Sequence, residues 1–175
     1  AGTCYTGLPD TAKMFPDSER VFNPLPLFHM NALAVTATGM MVIGGCLITP
    51  DRFHPGSWWQ DLAETRATIF HYLGVVPPML LNAPASENDK NHNVRFGFGA
   101  GVDPKHHAVF EERFGLSLTE CWGMTETGRI FGDVEEPRKV GTRAFGKPTA
   151  ELQARVVDEN DNDVPPGTDG QMILR

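Results

Sequence analysis

Between residues 20 and 122, short apolar runs alternate with longer segments of mixed character. This is the rhythm of strand–helix–strand units. Residues 21–27, 46–49, 68–73, 94–101 and 116–122 read as strands, and 32–43, 55–66, 77–85 and 103–114 as the helices between them. Trp58, Trp59, Leu62 and Ala63 fall on one side of their helix at helical spacing and are expected to anchor it to a core. Pro77-Pro78 suits a first helical turn, Asp103 is an N-cap ahead of Pro104, and Gly44 and Gly115 are stop signals. The polar run 86–93 reads as a solvated loop. Near-continuous apolar strands joined by helical crossovers predict a parallel sheet covered on both faces.

The predicted fold class is therefore α/β. A parallel-sheet βαβ subdomain with helices on both faces spans residues 1–132, and a short β-rich C-terminal segment spans 133–175. The second segment opens with the charged loop 133–139. Residues 151–157 then alternate like a half-exposed strand, 158–170 form an acidic turn-rich loop, and 171–175 begin another strand. Residues 30–50 carry no charge, but Asn31, Thr36, Thr38 and Gly44-Gly45 break the run into a buried helix and a buried strand, so no membrane span is expected.

Composition narrows the function classes. The 175 residues suit one domain or a large subdomain. Fifteen Lys plus Arg against 22 Asp plus Glu give a net charge of −7, which leaves no basic surplus for nucleic acid or an anionic bilayer. Cys4, Cys46 and Cys121 are odd in number and form no CxxC, which argues against a disulfide scaffold or a zinc ribbon. No basic stretch followed by an apolar one opens the chain, so a cytoplasmic setting is expected.

Ligands of parallel α/β sheets bind at the carboxyl ends of the strands, and three places there carry chemistry. Pro26-Leu27-Phe28-His29 sets an imidazole just past the first strand; its alternative is a structural histidine bonded to local partners. Gly97 to Gly101 permits close backbone approach to a ligand beside a helix N-terminus, or merely close packing of strand and helix. A dinucleotide fingerprint would need Gly where Val102 stands. Trp122-Gly123-Met124-Thr125-Glu126 offers a flat aromatic face, a hydroxyl donor and a hard oxygen ligand within five residues. Its alternative is a helix N-terminus capped by Thr125 with Glu126 in the first turn. The adjacent pair His106-His107 lacks metalloprotease spacing and no Gly-x-Ser-x-Gly elbow occurs, which removes metal and serine hydrolases.

Taken together these segments resemble the AMP-forming acyl-activating ligases, which include acyl-CoA synthetases, firefly luciferase and peptide-synthetase adenylation domains. Trp122 to Glu126 is similar to their Tyr-Gly-x-Thr-Glu motif, Pro26 to His29 to their Pro-Leu-Phe-His segment, and Gly97 to Gly101 to their Gly-rich adenine loop. Val140-Gly-Thr, Gly146-Lys-Pro148, Val164-Pro-Pro-Gly167 and Gly170 to Arg175 resemble the family's downstream stretch in order and spacing. The resemblance implies activation of a carboxylic acid by ATP as an acyl-adenylate, with magnesium, and transfer to coenzyme A. It implies a nucleotide site of Gly99, Ala100, Gly101, Cys121, Trp122, Gly123 and Thr125, with Trp122 in place of the adenine-stacking tyrosine. Glu126 takes the metal, Thr125 the α-phosphate, and His29 the acyl and thioester region. Met30, Val75 and Met124 are implied walls of an apolar acyl pocket.

The phosphate loop expected upstream and the Thr-Gly-Asp expected downstream lie outside the sequence, Tyr5 to Pro9 being only an imitation of the former. The chain is thus expected to be a fragment of a ligase N-terminal domain, inactive alone and prone to self-association through apolar surface that the remainder of the ligase would cover. A stand-alone nucleotide-binding or interaction module is the alternative, and a nicotinamide-dependent oxidoreductase a weaker one.

Overall fold

The computed structural model describes residues 14–15, 17–149 and 152–175. Strands β1 (Arg20–Phe22), β2 (Cys46–Ile48), β3 (Ile69–Leu73), β4 (Phe96–Ala100), β5 (Ser117–Met124), β6 (Gly128–Gly132) and β7 (Lys147–Pro148) form one seven-stranded sheet in the order β2-β1-β3-β4-β5-β6-β7. The pairs from β2 through β5 are parallel. Strands β8 (Ala154–Val157) and β9 (Gln171–Leu174) make a separate antiparallel pair. Helix α1 is a wide π-helix over Asn31–Ala37 that continues as α-helix over Thr38–Ile43; α2 is Trp58–Glu64, α3 Val76–Leu81 and α4 Pro104–Phe114. The α/β class holds, with its parallel sheet covered on both faces.

Strand alternation divides the core into two layers. Val21, Ile69, Phe96, Phe98 and Cys121 meet Val35, Met40 and Ile43 of α1 on one face. Phe22, Phe70, Tyr72 and Leu118 meet α2, α3 and α4 on the other. Trp58 is 1% exposed and takes edge-on contacts from Phe22, Phe53 and Phe70, while Trp59 stacks on Phe114, so the tryptophan pair anchors α2 as expected. Asp103 accepts from the Lys105 N–H, and Gly44 and Gly115 are left-handed at the ends of α1 and α4.

Several boundaries differ from expectation. The first strand ends at Phe22 rather than near residue 27, because Pro24 and Pro26 have no N–H to give a ladder. The loop 86–93 contains a 3₁₀ turn, Glu87–Lys90. The sheet is not parallel throughout, since β6 returns antiparallel on β5 and β7 antiparallel on β6. The signal for that hairpin is a polar turn ending in Gly128 between two apolar runs. The imitation loop, Tyr5 to Pro9, lies outside the described residues.

An ion-paired cluster fastens the loop after β6 to α4. Arg138 donates from Nη1 and Nη2 to Glu111 at 2.7 and 2.9 Å, and Glu111 also accepts from the Leu118 N–H at 2.8 Å. His107, 1% exposed, places Nε2 3.2 Å from the same carboxylate. Burial pushes the Glu111 carboxyl up, but the hydrogen bonds from Arg138, His107 and Leu118 outweigh it and bring its pKa to about 2. A folded-state pKa below the usual carboxylate range gives stability that is full above pH 4.5 and is lost as pH falls towards 2. Denaturant midpoints measured across that window should decline for the wild type. Glu111→Gln should flatten the decline and cost about 1–3 kcal/mol at neutral pH; an unchanged slope would remove Glu111 as its source.

Candidate functional site

The carboxyl edge of the parallel strands carries a cavity of about 60 Å³, lined by Asn31 and Val35 of α1, His71 of β3, Phe98, Gly99 and Ala100 of β4, and Cys121, Trp122 and Gly123 of β5. The order β2-β1-β3-β4-β5 reverses direction between β1 and β3, and the edge beyond the strand ends is where such sheets bind ligands. Gly99, Ala100, Cys121, Trp122 and Gly123, all anticipated from the sequence, meet in this one cavity.

Each is placed for a local reason. A Cβ on Gly99 would stand 2.2 Å from the Tyr72 carbonyl oxygen, so only glycine lets β4 lie this close to β3. Trp122 sits where the β5–β6 register slips between Trp122 and Gly123, a bulge that re-aims side chains at a sheet edge. Its indole is held by Phe131, edge-on at 5.7 Å, and by Phe145, near-parallel at 5.6 Å. Gly146, with φ +87° and a would-be Cβ 2.0 Å from the Gly132 carbonyl, lets the chain pack Phe145 there. This is a physical reason for the Gly146-Lys-Pro148 segment.

Thr125 and Glu126 do not begin a helix. The Thr127 N–H donates to the Met124 carbonyl at 3.2 Å, closing a turn between β5 and β6 that exposes both residues beyond the cavity rim. Gly101 follows β4 directly, exposed at φ +84°. His29 is likewise not at a strand end. Its N–H donates to the Pro26 carbonyl and its own carbonyl accepts from the Leu33 N–H, so it is the exposed entry to α1. Met30 packs against the α1-side core, and Val75 (60% exposed) and Met124 (41%) lie on the surface. None of these four lines the cavity.

Two residues at this edge escaped the sequence reading. His71, 3% exposed, stacks on Phe98 at 4.3 Å and places Nδ1 2.7 Å from the Thr36 hydroxyl. Glu120, 7% exposed, points to the opposite face of β5. Its carboxylate accepts from the Tyr72 hydroxyl at 2.6 Å and from the N–H groups of Gly101 and Val102 at 2.8 and 3.2 Å. A buried carboxylate thereby fixes the loop after β4. The signal for it in the sequence is the one charged residue of the strand Ser117–Met124.

The chain matches the model of the family described as "AMP-binding enzyme" over residues 2–175. It is 33% identical over 159 residues to a sulfoacetate–CoA ligase of Cupriavidus necator, covering 90% of this chain and 31% of that one. A medium/long-chain-fatty-acid–CoA ligase of Mycobacterium tuberculosis is 30% identical over 171 residues, covering 90% of this chain and 28% of its own. Among solved structures, ATP-bound MatB from Rhodopseudomonas palustris superposes with a TM-score of 0.87 at 22% identity, over 99% of this chain and 34% of that one. The chain thus spans about a third of the length of the relatives it matches.

Glu120→Gln keeps the size of the side chain but turns one acceptor into a donor facing N–H groups. It should cost about 1–3 kcal/mol of stability. Amide exchange at Gly101 and Val102 should accelerate more than at the midpoints of β3 and β4, and uniform acceleration would argue that Glu120 does not hold this loop in particular.

Proposed function

The chain belongs to the AMP-binding enzyme family, and on that premise we propose that it forms the adenine and magnesium wall of an ATP-dependent carboxylic acid:CoA ligase. The observation that carries this reading is the convergence of Gly99, Ala100, Cys121, Trp122 and Gly123 on one cavity at the carboxyl edge, with Thr125 and Glu126 on the turn beside it. We read 1–132 and 133–175 as successive segments of one domain; the pairing of β7 with β6 supports this, since it carries the sheet across that boundary. The remainder of the ligase is the partner that supplies the phosphate loop.

In this reading the indole of Trp122, steadied by Phe131 and Phe145, offers a flat surface to the adenine. Gly99 to Gly101 let the backbone approach the nucleotide, and the Glu120 clamp keeps that approach rigid. The Thr125 hydroxyl donates to the α-phosphate. It stabilises the charge that builds there as the acid's carboxylate attacks and pyrophosphate leaves. His29, at the entry to α1, faces the thioester stage, in which the thiol of coenzyme A displaces AMP from the acyl-adenylate.

Magnesium takes oxygen ligands and is usually held by one or two carboxylates together with substrate phosphates. A single exposed carboxylate at Glu126, next to a hydroxyl, fits an ion that arrives with the nucleotide. Bound there, the ion would neutralise charge on the phosphate oxygens. Acid selection falls to the cavity and its surroundings.

The complete ligase chain tests these roles. Glu126→Gln should lower the rate of acyl-adenylate formation by about 10²-fold, read as acid-dependent pyrophosphate release; a wild-type rate would refute the metal role. Trp122→Ala should raise the KM for ATP by about 10-fold or more through lost stacking, while Trp122→Tyr should restore it. An ATP KM indifferent to both changes would place the adenine elsewhere.

A further inference from the structure

Residues 133–146 leave the sheet after β6 and return to it at β7, where Gly132 and Lys147 face each other as register partners, so the segment is a loop closed at its base. Loops of this shape are ordinarily filled by their own side chains, and this one is not. It borders a hollow of about 280 Å³, and every residue lining that hollow, from Gly132, Asp133 and Pro137 to Ala144, Gly146 and Lys147, belongs to the loop or its base. Residues 141–144 are exposed. The placement of the loop therefore falls to the points at which it is fastened.

Those points lie on α4 and at the base. Arg138, its side chain 12% exposed, grips Glu111 with both Nη atoms at 2.7 and 2.9 Å and donates from Nη1 to the Leu118 carbonyl at 3.1 Å. The Lys139 N–H donates to the buried Asp133 carboxylate at 2.6 Å, and the Asp133 N–H donates to the Glu120 carbonyl at 2.8 Å. One turn nearer the start of α4, the Gly141 N–H approaches His107 Nδ1 at 3.5 Å. The loop thus follows α4 towards the carboxyl edge of the sheet and brings Phe145 to Trp122. The two rings lie 26° from parallel with centroids 5.6 Å apart, and Phe131 meets both edge-on.

From this geometry we infer that Arg138 and Glu111, neither of which lines the nucleotide cavity, are positioning residues for ATP. The pair holds the loop on α4, the loop holds Phe145 against the indole of Trp122, and the indole meets the adenine at the angle that results. The inference rests on the ligase reading above and deepens it, extending the adenine wall back to α4. The planar fork of Arg138 matches a carboxylate with two parallel bonds, which a lysine ammonium cannot reproduce. The hollow leaves the loop without an inner filling to take over when the fork is lost.

Calorimetric titration of the complete ligase chain with ATP and magnesium, without acid, tests this. Arg138→Lys keeps the charge and loses the fork, Glu111→Asp withdraws the carboxylate by one methylene, and Phe145→Leu keeps an apolar side chain and loses the ring. Each should raise the Kd for ATP about five-fold through partial loss of base stacking, and Phe145→Tyr should restore it. Because both act through one ring, Arg138→Lys combined with Phe145→Leu should also cost about five-fold, against about twenty-five-fold for independent sites. Arg113→Lys is the matched control. Arg113, on the same helix, holds Asp89 at 2.8 Å and the carbonyls of Leu81 and Pro84, all outside the loop. Its replacement should lower thermal stability as Arg138→Lys does and leave the Kd for ATP unchanged. A Kd that rises for Trp122→Ala but not for the Arg138, Glu111 and Phe145 variants would overturn the proposal and leave the ligase reading standing. Additive losses in the double variant, or an equal rise for Arg113→Lys, would also overturn it. A Kd that Trp122→Ala itself leaves unchanged would sink the placement of the adenine and the proposal with it.

Discussion

Successive side chains of a strand leave it on opposite faces, and at the carboxyl edge of this sheet that alternation gives neighbouring residues separate tasks. On β3, His71 turns to the α1 side and closes the cavity, while Tyr72 turns to the other side and donates to Glu120. On β5, Cys121 lines the cavity and Glu120, one residue earlier, holds the loop after β4 from beneath. A one-residue slip of β5 would bury Cys121 under the loop and turn the Glu120 carboxylate into the cavity. The buried hydrogen bonds to Glu120 oppose that slip, because breaking them leaves a carboxylate unpaired in the core. Site and scaffold are thus fixed by the same register.

A second buried carboxylate works at the opposite edge. Glu19, 2% exposed, precedes β1 and accepts from the Phe15 N–H and from Thr68 ahead of β3, and pairs with Arg95 ahead of β4. The starts of three adjacent strands therefore meet on one acidic side chain, just as Glu120 gathers the exits of β3, β4 and β5. Charged groups are costly to bury, so both edges concentrate that cost on residues with several donors each.

Much of this was legible in the residues themselves. The five parallel strands, the helices between them, the Asp103 cap and the Trp58-Trp59 anchor all follow from local patterns, because each depends on neighbours in sequence. The segments holding Gly99, Ala100, Trp122 and Gly123 were legible because they lie at strand ends, where topology places ligands, whereas Cys121 entered only through the resemblance to the acyl-activating ligases. What escaped depends on distant partners. The hydrogen bonds of His71 to Thr36 and of Glu120 to Tyr72 span 35 and 48 residues. The stretch after Met124 stays open in the sequence between a turn and a helix cap, because a Thr-Glu pair after a strand suits both, and only the pairing of β6 with β5 decides for the turn. Met30, Val75 and Met124 follow the strands in sequence, yet the structure turns them to the α1-side core or to the surface.

The wide first half of α1 connects these observations. The hydroxyls of Thr36 and Thr38 donate to carbonyls five residues back, Asn31 and Leu33, and the Leu33 carbonyl accepts from the Thr38 N–H as well. Asn31 and Val35 of this stretch line the cavity while Thr36 lies buried against His71. A substitution at Thr36 would act on the pocket through backbone geometry as well as through the lost bond to His71, so its effect should exceed that of removing a single hydroxyl.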